Sequence, residues 1–114
     1  MFLMTFQLLA DTNHHPISLE QKGGPRDGNP LCFDMPLAYY VYSPKDQYII
    51  IDGHGAVSYY DVEISSATTS TVEMTTQVDG AYDTFDISSL AAGSHVITIE
   101  SPSGNIYEGT FTKY

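Results

Sequence analysis

The sequence predicts an all-β fold, an antiparallel sandwich of about seven short strands, from three observations. Apolar and polar residues alternate over short stretches. Turn residues recur at intervals of about eight to twelve positions. No stretch has the length, or the Ala, Leu, Lys and Glu richness, of a helix. Nine Tyr, no Trp and a dense Ser/Thr run over residues 65–76 point the same way, because aromatic and β-branched side chains suit a pleated surface. A small barrel closes the same pattern differently.

The first predicted strand spans residues 36–42, PLAYYVY, where Pro36 suits a strand's opening position. A turn over 43–47 follows, with Pro44 fixing φ, and then the strand 48–52, YIIID. Residues 52–55, DGHG, carry two glycines that tolerate positive φ. The strand 57–64 alternates cleanly, with Tyr60, Val62 and Ile64 on one face and Tyr59, Asp61 and Glu63 on the other. The strand 71–78 sets Val72, Met74 and Val78 against Glu73, Thr75 and Gln77. Asp79–Gly80 reads as a hairpin turn into the strand 82–87, with Phe85 and Ile87 inward and Leu90 plugging the end of the fold. Strand 95–100 turns Ile97 and Ile99 together. After a turn at 101–104, the strand 105–112 puts Tyr107, Gly109 and Phe111 in one phase.

A chain of 114 residues is one domain's worth, enough for a modest core. Four Lys and Arg against fourteen Asp and Glu give a formal charge of −10. That balance argues against nucleic acid and anionic membrane surfaces, both of which need a cationic footprint. The single cysteine, Cys32, allows no internal disulfide, and beside Pro30, Leu31 and Phe33 it reads as a buried or linker thiol. Residues 1–10, MFLMTFQLLA, are too short to span a bilayer and read as an apolar leader, the remnant of a signal peptide without its basic start, or else an apolar first strand. Residues 11–30 hold three Pro and the linker-like QKGGPRDGNP. They read as a flexible or extended N-terminal arm in which Ile17 and Leu19 dock on the domain. The sandwich domain is placed at 31–114.

Three pieces, YYDVEI at 59–64, FDISSLAAGSHVITI at 85–99 and GNIYEGTF at 104–111, resemble the small immunoglobulin-like domains of the DUF3244 kind found in exported proteins of Bacteroides and relatives. The resemblance covers about residues 31–114 and departs from the pattern at His95, where an aromatic is more usual. It implies an immunoglobulin-like sandwich that is secreted, periplasmic or at the cell surface. It carries over no activity and no catalytic residue. The Cys–Trp–Cys core of antibody domains is absent, so the immunoglobulin likeness is architectural. The turn DISSLAAG is also similar to the one in C-terminal sorting domains of a Bacteroidetes secretion route, which makes a sorting-like domain one functional alternative.

No catalytic, cofactor or metal motif is present: there is no P-loop, dinucleotide glycine pattern, HExxH or CxxC. His14 and His15 fall in the arm, and His95 reads as a partly buried or rim histidine. Asp61, Glu63 and Glu73 read as solvated outer carboxylates rather than a hydrolytic pair. Asp52 and Asp79 suit turn capping better than calcium. The expectation is therefore a non-enzymatic domain with an adhesion or protein-interaction role. The alternative is a small carbohydrate-binding module that uses exposed rings at Tyr40, Tyr42 and Tyr59. Self-association is the other route expected, through an edge strand or by swapping residues 14–20 onto a neighbour's sheet.

Overall fold

The computed structural model describes residues 14–24, 34–43 and 45–114. The leader at 1–10, Cys32 and Pro44 lie outside these residues. Among the described residues there are nine strands and no helix: β1 His14–Ile17, β2 Glu20–Gly23, β3 Leu37–Tyr42, β4 Gln47–Asp52, β5 Tyr59–Ser66, β6 Val72–Asp79, β7 Tyr82–Asp86, β8 Gly93–Glu100 and β9 Ile106–Lys113. They form a sandwich of two antiparallel sheets, one in the order β1-β3-β4-β7 and the other β2-β9-β8-β5-β6. The seven strands expected from alternation are present as β3 to β9. The two additional ones come from the segment expected to be a flexible arm.

That arm is extended and docks through Ile17 and Leu19 as expected, but it does so as two paired strands rather than as a flexible tether. β1 pairs with β3 in the first sheet, and β2 pairs with β9 in the second. The chain changes sheets at Ser18 and Leu19, Ile17 is buried in the core and Leu19 packs against it. Gly, Pro and charge suggest a linker by composition, but two unpaired sheet edges and one apolar residue in phase outweigh composition. The crossover needs Gly109 beneath it. A Cβ there would lie 2.5 Å from the Ser18 carbonyl oxygen and 2.8 Å from Ile17 Cγ2.

The core lies between the sheets. Tyr60, Val62 and Ile64 of β5, Ile97 and Ile99 of β8, and Tyr107 and Phe111 of β9 face Ala38 and Tyr40 of β3 and Ile49 and Ile51 of β4. Ile87 and Leu90 of the β7–β8 connection close one end, as their phase predicted. Each buried Val, Ile, Leu or Phe among them contributes about 1.5–3 kcal/mol relative to exposure.

Two turns need correction or confirmation. Asp79–Gly80 does not close a hairpin, because β6 and β7 belong to different sheets. Gly80 has no positive φ; it is required for close approach, since a Cβ would stand 1.9 Å from the Val57 carbonyl oxygen. The β8–β9 turn is a true hairpin. Gly104 takes φ of 96° and its N–H donates to the Ser101 carbonyl at 2.9 Å.

β6 also departs from simple alternation. Ile64 opposes Met74 but Ser65 opposes Val72, so Glu73 is the extra residue of a bulge. Val72 is thereby turned to solvent, away from the face it was expected to share with Met74 and Val78. Glu73 is brought within 2.8 Å of His95 Nδ1 instead of standing with the outer carboxylates.

Candidate interaction site

The three tyrosines expected on the surface do not form one site. Tyr40 is 1% exposed, a correction to the expectation of an open ring. On β3 its phase is that of Ala38, which faces the core. Its ring lies 5.5 Å from Phe111, and its hydroxyl donates to Gln47 Oε1 at 2.5 Å and accepts from the Tyr114 N–H at 3.0 Å. Tyr42 is half-buried in the same phase and meets Tyr114 edge-on at 5.5 Å. Tyr59 is half-buried on β5, in the other sheet, opposite Asp79. Tyr40 and Tyr42 therefore belong with His15, Phe111 and Tyr114 in an aromatic cluster that seals the gap between β1 and β9, beside a groove of about 320 Å³.

His95 and the turn carboxylates Asp52 and Asp79 are equally committed to structure. His95 is 3% exposed, stacked on Phe111 at 5.5 Å, and its Nε2 donates to the Ala91 carbonyl at 2.8 Å. Its Nδ1 is at ion-pair distance from Glu73 Oε1 but out of line for a hydrogen bond. Asp52 accepts from the His54 N–H at 3.1 Å, and Asp79 from the Ala81 N–H at 2.7 Å, the capping roles read for both. Among the described residues, no three His, Cys, Asp or Glu side chains gather to hold a metal.

A polar cluster around Asp34 has no counterpart in the sequence reading. Its carboxylate accepts from the Tyr107 hydroxyl, from Ser103 Oγ at 2.8 Å and from Asn105 Nδ2 at 3.0 Å. Its backbone carbonyl accepts from the Tyr60 hydroxyl at 2.7 Å. Burial alone would raise this carboxyl; the hydrogen bonds from Tyr107, Ser101, Ser103 and Asn105 outweigh it and hold the pKa below the ordinary 3.8. Burial, and then the charges of Asp34 and Asp52, push the Tyr60 phenol up to about 12. These groups tie the entry to β3 to the β8–β9 turn and to β5. Tyr60 is 26 positions from Asp34, and Ser103, Asn105 and Tyr107 are some seventy, separations that no local pattern reveals.

What remains for recognition is the outside of the two sheets, and the two differ in character. On the sheet containing β3 and β4, the face away from the core carries Leu37, Tyr39, Val41, Tyr48 and Ile50, with Tyr82 of β7 at its margin. Tyr39 opposes Ile50 and Val41 opposes Tyr48, so the apolar groups are contiguous. Val41 and Ile50 are only 4% and 7% exposed although both lie outside the core cluster, while Leu37 and Tyr82 are 48% and 56% exposed. The sequence held a sign of this. LAYYVY and QYIIID are nearly continuous apolar runs, the pattern of strands covered on both faces, whereas YYDVEI alternates. The outer face of the other sheet is acidic and rich in threonine, with Asp61 directly opposite Glu100 and Glu63 opposite Thr98.

Against solved structures, the chain matches a DUF3244 family protein from Bacteroides vulgatus described as an immunoglobulin-like β-sandwich. The two are 12% identical, with a TM-score of 0.67 over 89% of this chain and 99% of that one. The chain shares the fold of a DUF3244 family protein. The resemblance read from YYDVEI, FDISSLAAGSHVITI and GNIYEGTF thus holds at the level of the fold. No family model matches the sequence, and no curated protein matches it. Among the described residues, no helix is long and apolar enough to cross a membrane.

Proposed function

We propose that this chain is a non-enzymatic protein-interaction domain of an exported protein, and that it docks a protein partner on the outer face of the β1-β3-β4-β7 sheet. One observation carries the reading: contiguous Leu37, Tyr39, Val41, Tyr48 and Ile50 lie on the side of the sheet opposite the core. An apolar sheet face flanked by exposed Leu37 and Tyr82 is the kind of surface that marks a protein contact. Export rests on the resemblance to DUF3244-type domains and on the apolar leader.

The test is site-specific photocrosslinking in the producing cell, with the crosslinker at position 82 or, as a control on the opposite sheet, at position 98. A discrete protein adduct at 82 that is absent at 98 and lost on Leu37→Glu supports the reading. Equal adducts at both positions, or none, overturn it, as does retention on glycans that depends on Tyr39 and Tyr48. Fractionation that recovers the full-length chain in the cytosol overturns the export part alone.

A further inference from the structure

The four sheet edges of this sandwich are not alike. β1 is four residues long and contains Pro16; β2 is four residues long, carries Lys22 and is bulged between Gln21 and Gly23; β7 is five residues long. Short length, Pro, Lys and bulges are the devices that keep strand edges from pairing with other chains. β6 is eight residues long and carries no Pro, Lys or Arg, and its bulge is confined to one end, at Glu73.

The direction of its free backbone groups follows from the register. The Gly80 N–H donates to the Ser58 carbonyl at 3.0 Å. In an antiparallel ladder, bonded and non-bonded pairs alternate. Tyr60–Val78, Val62–Thr76 and Ile64–Met74 are therefore the bonded pairs of β5 and β6. Thr75 and Gln77 aim both their N–H and their C=O away from β5, along an edge where both residues are exposed. Toward the corner the edge is closed, because the Asp79 N–H is taken by Asp83 Oδ2 at 2.9 Å.

The surroundings of this edge specify what would pair with it. On the outer face a groove of about 330 Å³ runs over Asp61, Glu63, Thr75, Thr98 and Glu100. Asp61 and Glu100 are directly opposed, a like-charge pair that is unfavourable unless a cation lies nearby. No Lys or Arg belongs to β5, β6 or β8. On the inner side, Met74 of β6 and Phe85 of β7 pack against the core but stay partly open at the flank. We propose that the edge of β6 accepts an extended segment of a partner protein as an added strand, with Lys or Arg at the alternate positions reaching across Thr75 and Gln77 toward Glu63 and Asp61 of β5, and apolar residues between them packing on Met74. Main-chain bonds to Thr75 and Gln77 supply affinity, and the alternation of side chains supplies specificity. A second copy is the wrong occupant. Its β6 brings Glu73 and no cation, and each chain carries a net charge of −10. The proposal uses a different surface from the apolar face of the other sheet and stands without it.

The probe is a capped peptide of about ten residues alternating Lys and Val, with an alternating Glu and Val peptide as control. The Lys peptide is expected to bind at least about tenfold tighter, to weaken as salt rises, and to protect the Thr75 and Gln77 amides from hydrogen exchange. Thr75→Pro removes an outward N–H without touching the bonds to β5 and is expected to weaken binding about tenfold. Should that variant unfold, the same loss is read on the unaltered protein with a Lys–Val peptide N-methylated along its pairing edge. Equal binding of the two peptides, unchanged binding by Thr75→Pro or the N-methylated peptide, or no protection at Thr75 and Gln77 overturns the proposal. So does a dimer whose formation protects these same amides.

Discussion

Gly109 lies inward on β9 between Tyr107 and Phe111, directly under the crossover of the N-terminal strands. Gly109→Ala is expected to cost about 1–3 kcal/mol, since the added methyl meets backbone that has no room to retreat. Denaturation midpoints measure the loss, and β1 amides are expected to exchange first. Asp34 makes a second prediction. Its folded pKa lies below the unfolded value, so its stabilisation is complete above 3.8 and is lost as pH falls through the lower folded value. Asp34→Ala removes the acceptor shared by the Tyr107 hydroxyl, Ser103 and the Asn105 amide and is expected to cost about 1–3 kcal/mol at neutral pH, with a flatter acid limb of the stability curve. Tyr60 works in the opposite direction. Its phenol is raised to about 12 from 10.0, so its stabilisation is present below 10.0 and is lost as pH rises toward 12. Tyr60→Phe is expected to remove its share of that alkaline loss in a pH series of denaturation midpoints. Tyr107 and Gly109 were readable as inward residues from their phase on β9. The Asp34 cluster was not, because its members meet only after the sheets have packed.

β6 shows how far an element can be read from its own residues. Its existence and bounds follow from TVEMTTQV between two polar turns, but its face changes at Glu73, and nothing in that string requires a bulge there. The bulge swings Glu73 to 2.8 Å from Nδ1 of the buried His95 imidazole. Glu73→Ala is expected to cost about 1 kcal/mol through loss of its close contact with His95, and to cost nothing in a His95→Phe background, where the Nδ1 that faces Glu73 is gone. A double-mutant cycle in denaturant reads this coupling. β3 and β4 are legible as strands from their own residues, but the face that Tyr40 occupies is not. Both of its sequence neighbours are apolar enough to face either way, and only pairing with β4 and the aromatic cluster beyond it settles the phase.

The two sheets close as a sandwich because the N-terminal segment caps both of them, β1 on one edge and β2 on the other. Deleting residues 1–23 removes both strands and takes Ile17 out of the core, a loss of about 2–5 kcal/mol from that side chain alone. The truncated chain is expected to lose its cooperative unfolding transition and to self-associate through the bared edges of β3 and β9. Adding residues 14–23 as a separate peptide is expected to restore both properties, as measured by calorimetry and sedimentation. The sequence by itself determined the all-β class, seven of the nine strands among the described residues, the inward phases of β5, β8 and β9, and the acidic charge that disfavours nucleic acid. These depend on period-two alternation and turn residues, which are local. Only the tertiary structure decided that residues 14–23 form two strands, that Asp79–Gly80 is a corner between sheets, that Tyr40 is buried, and that β6 is the outer strand of its sheet among the described residues. Each of those depends on which segments meet across the sandwich, and meeting is settled by edge pairing and close packing between residues far apart in the chain.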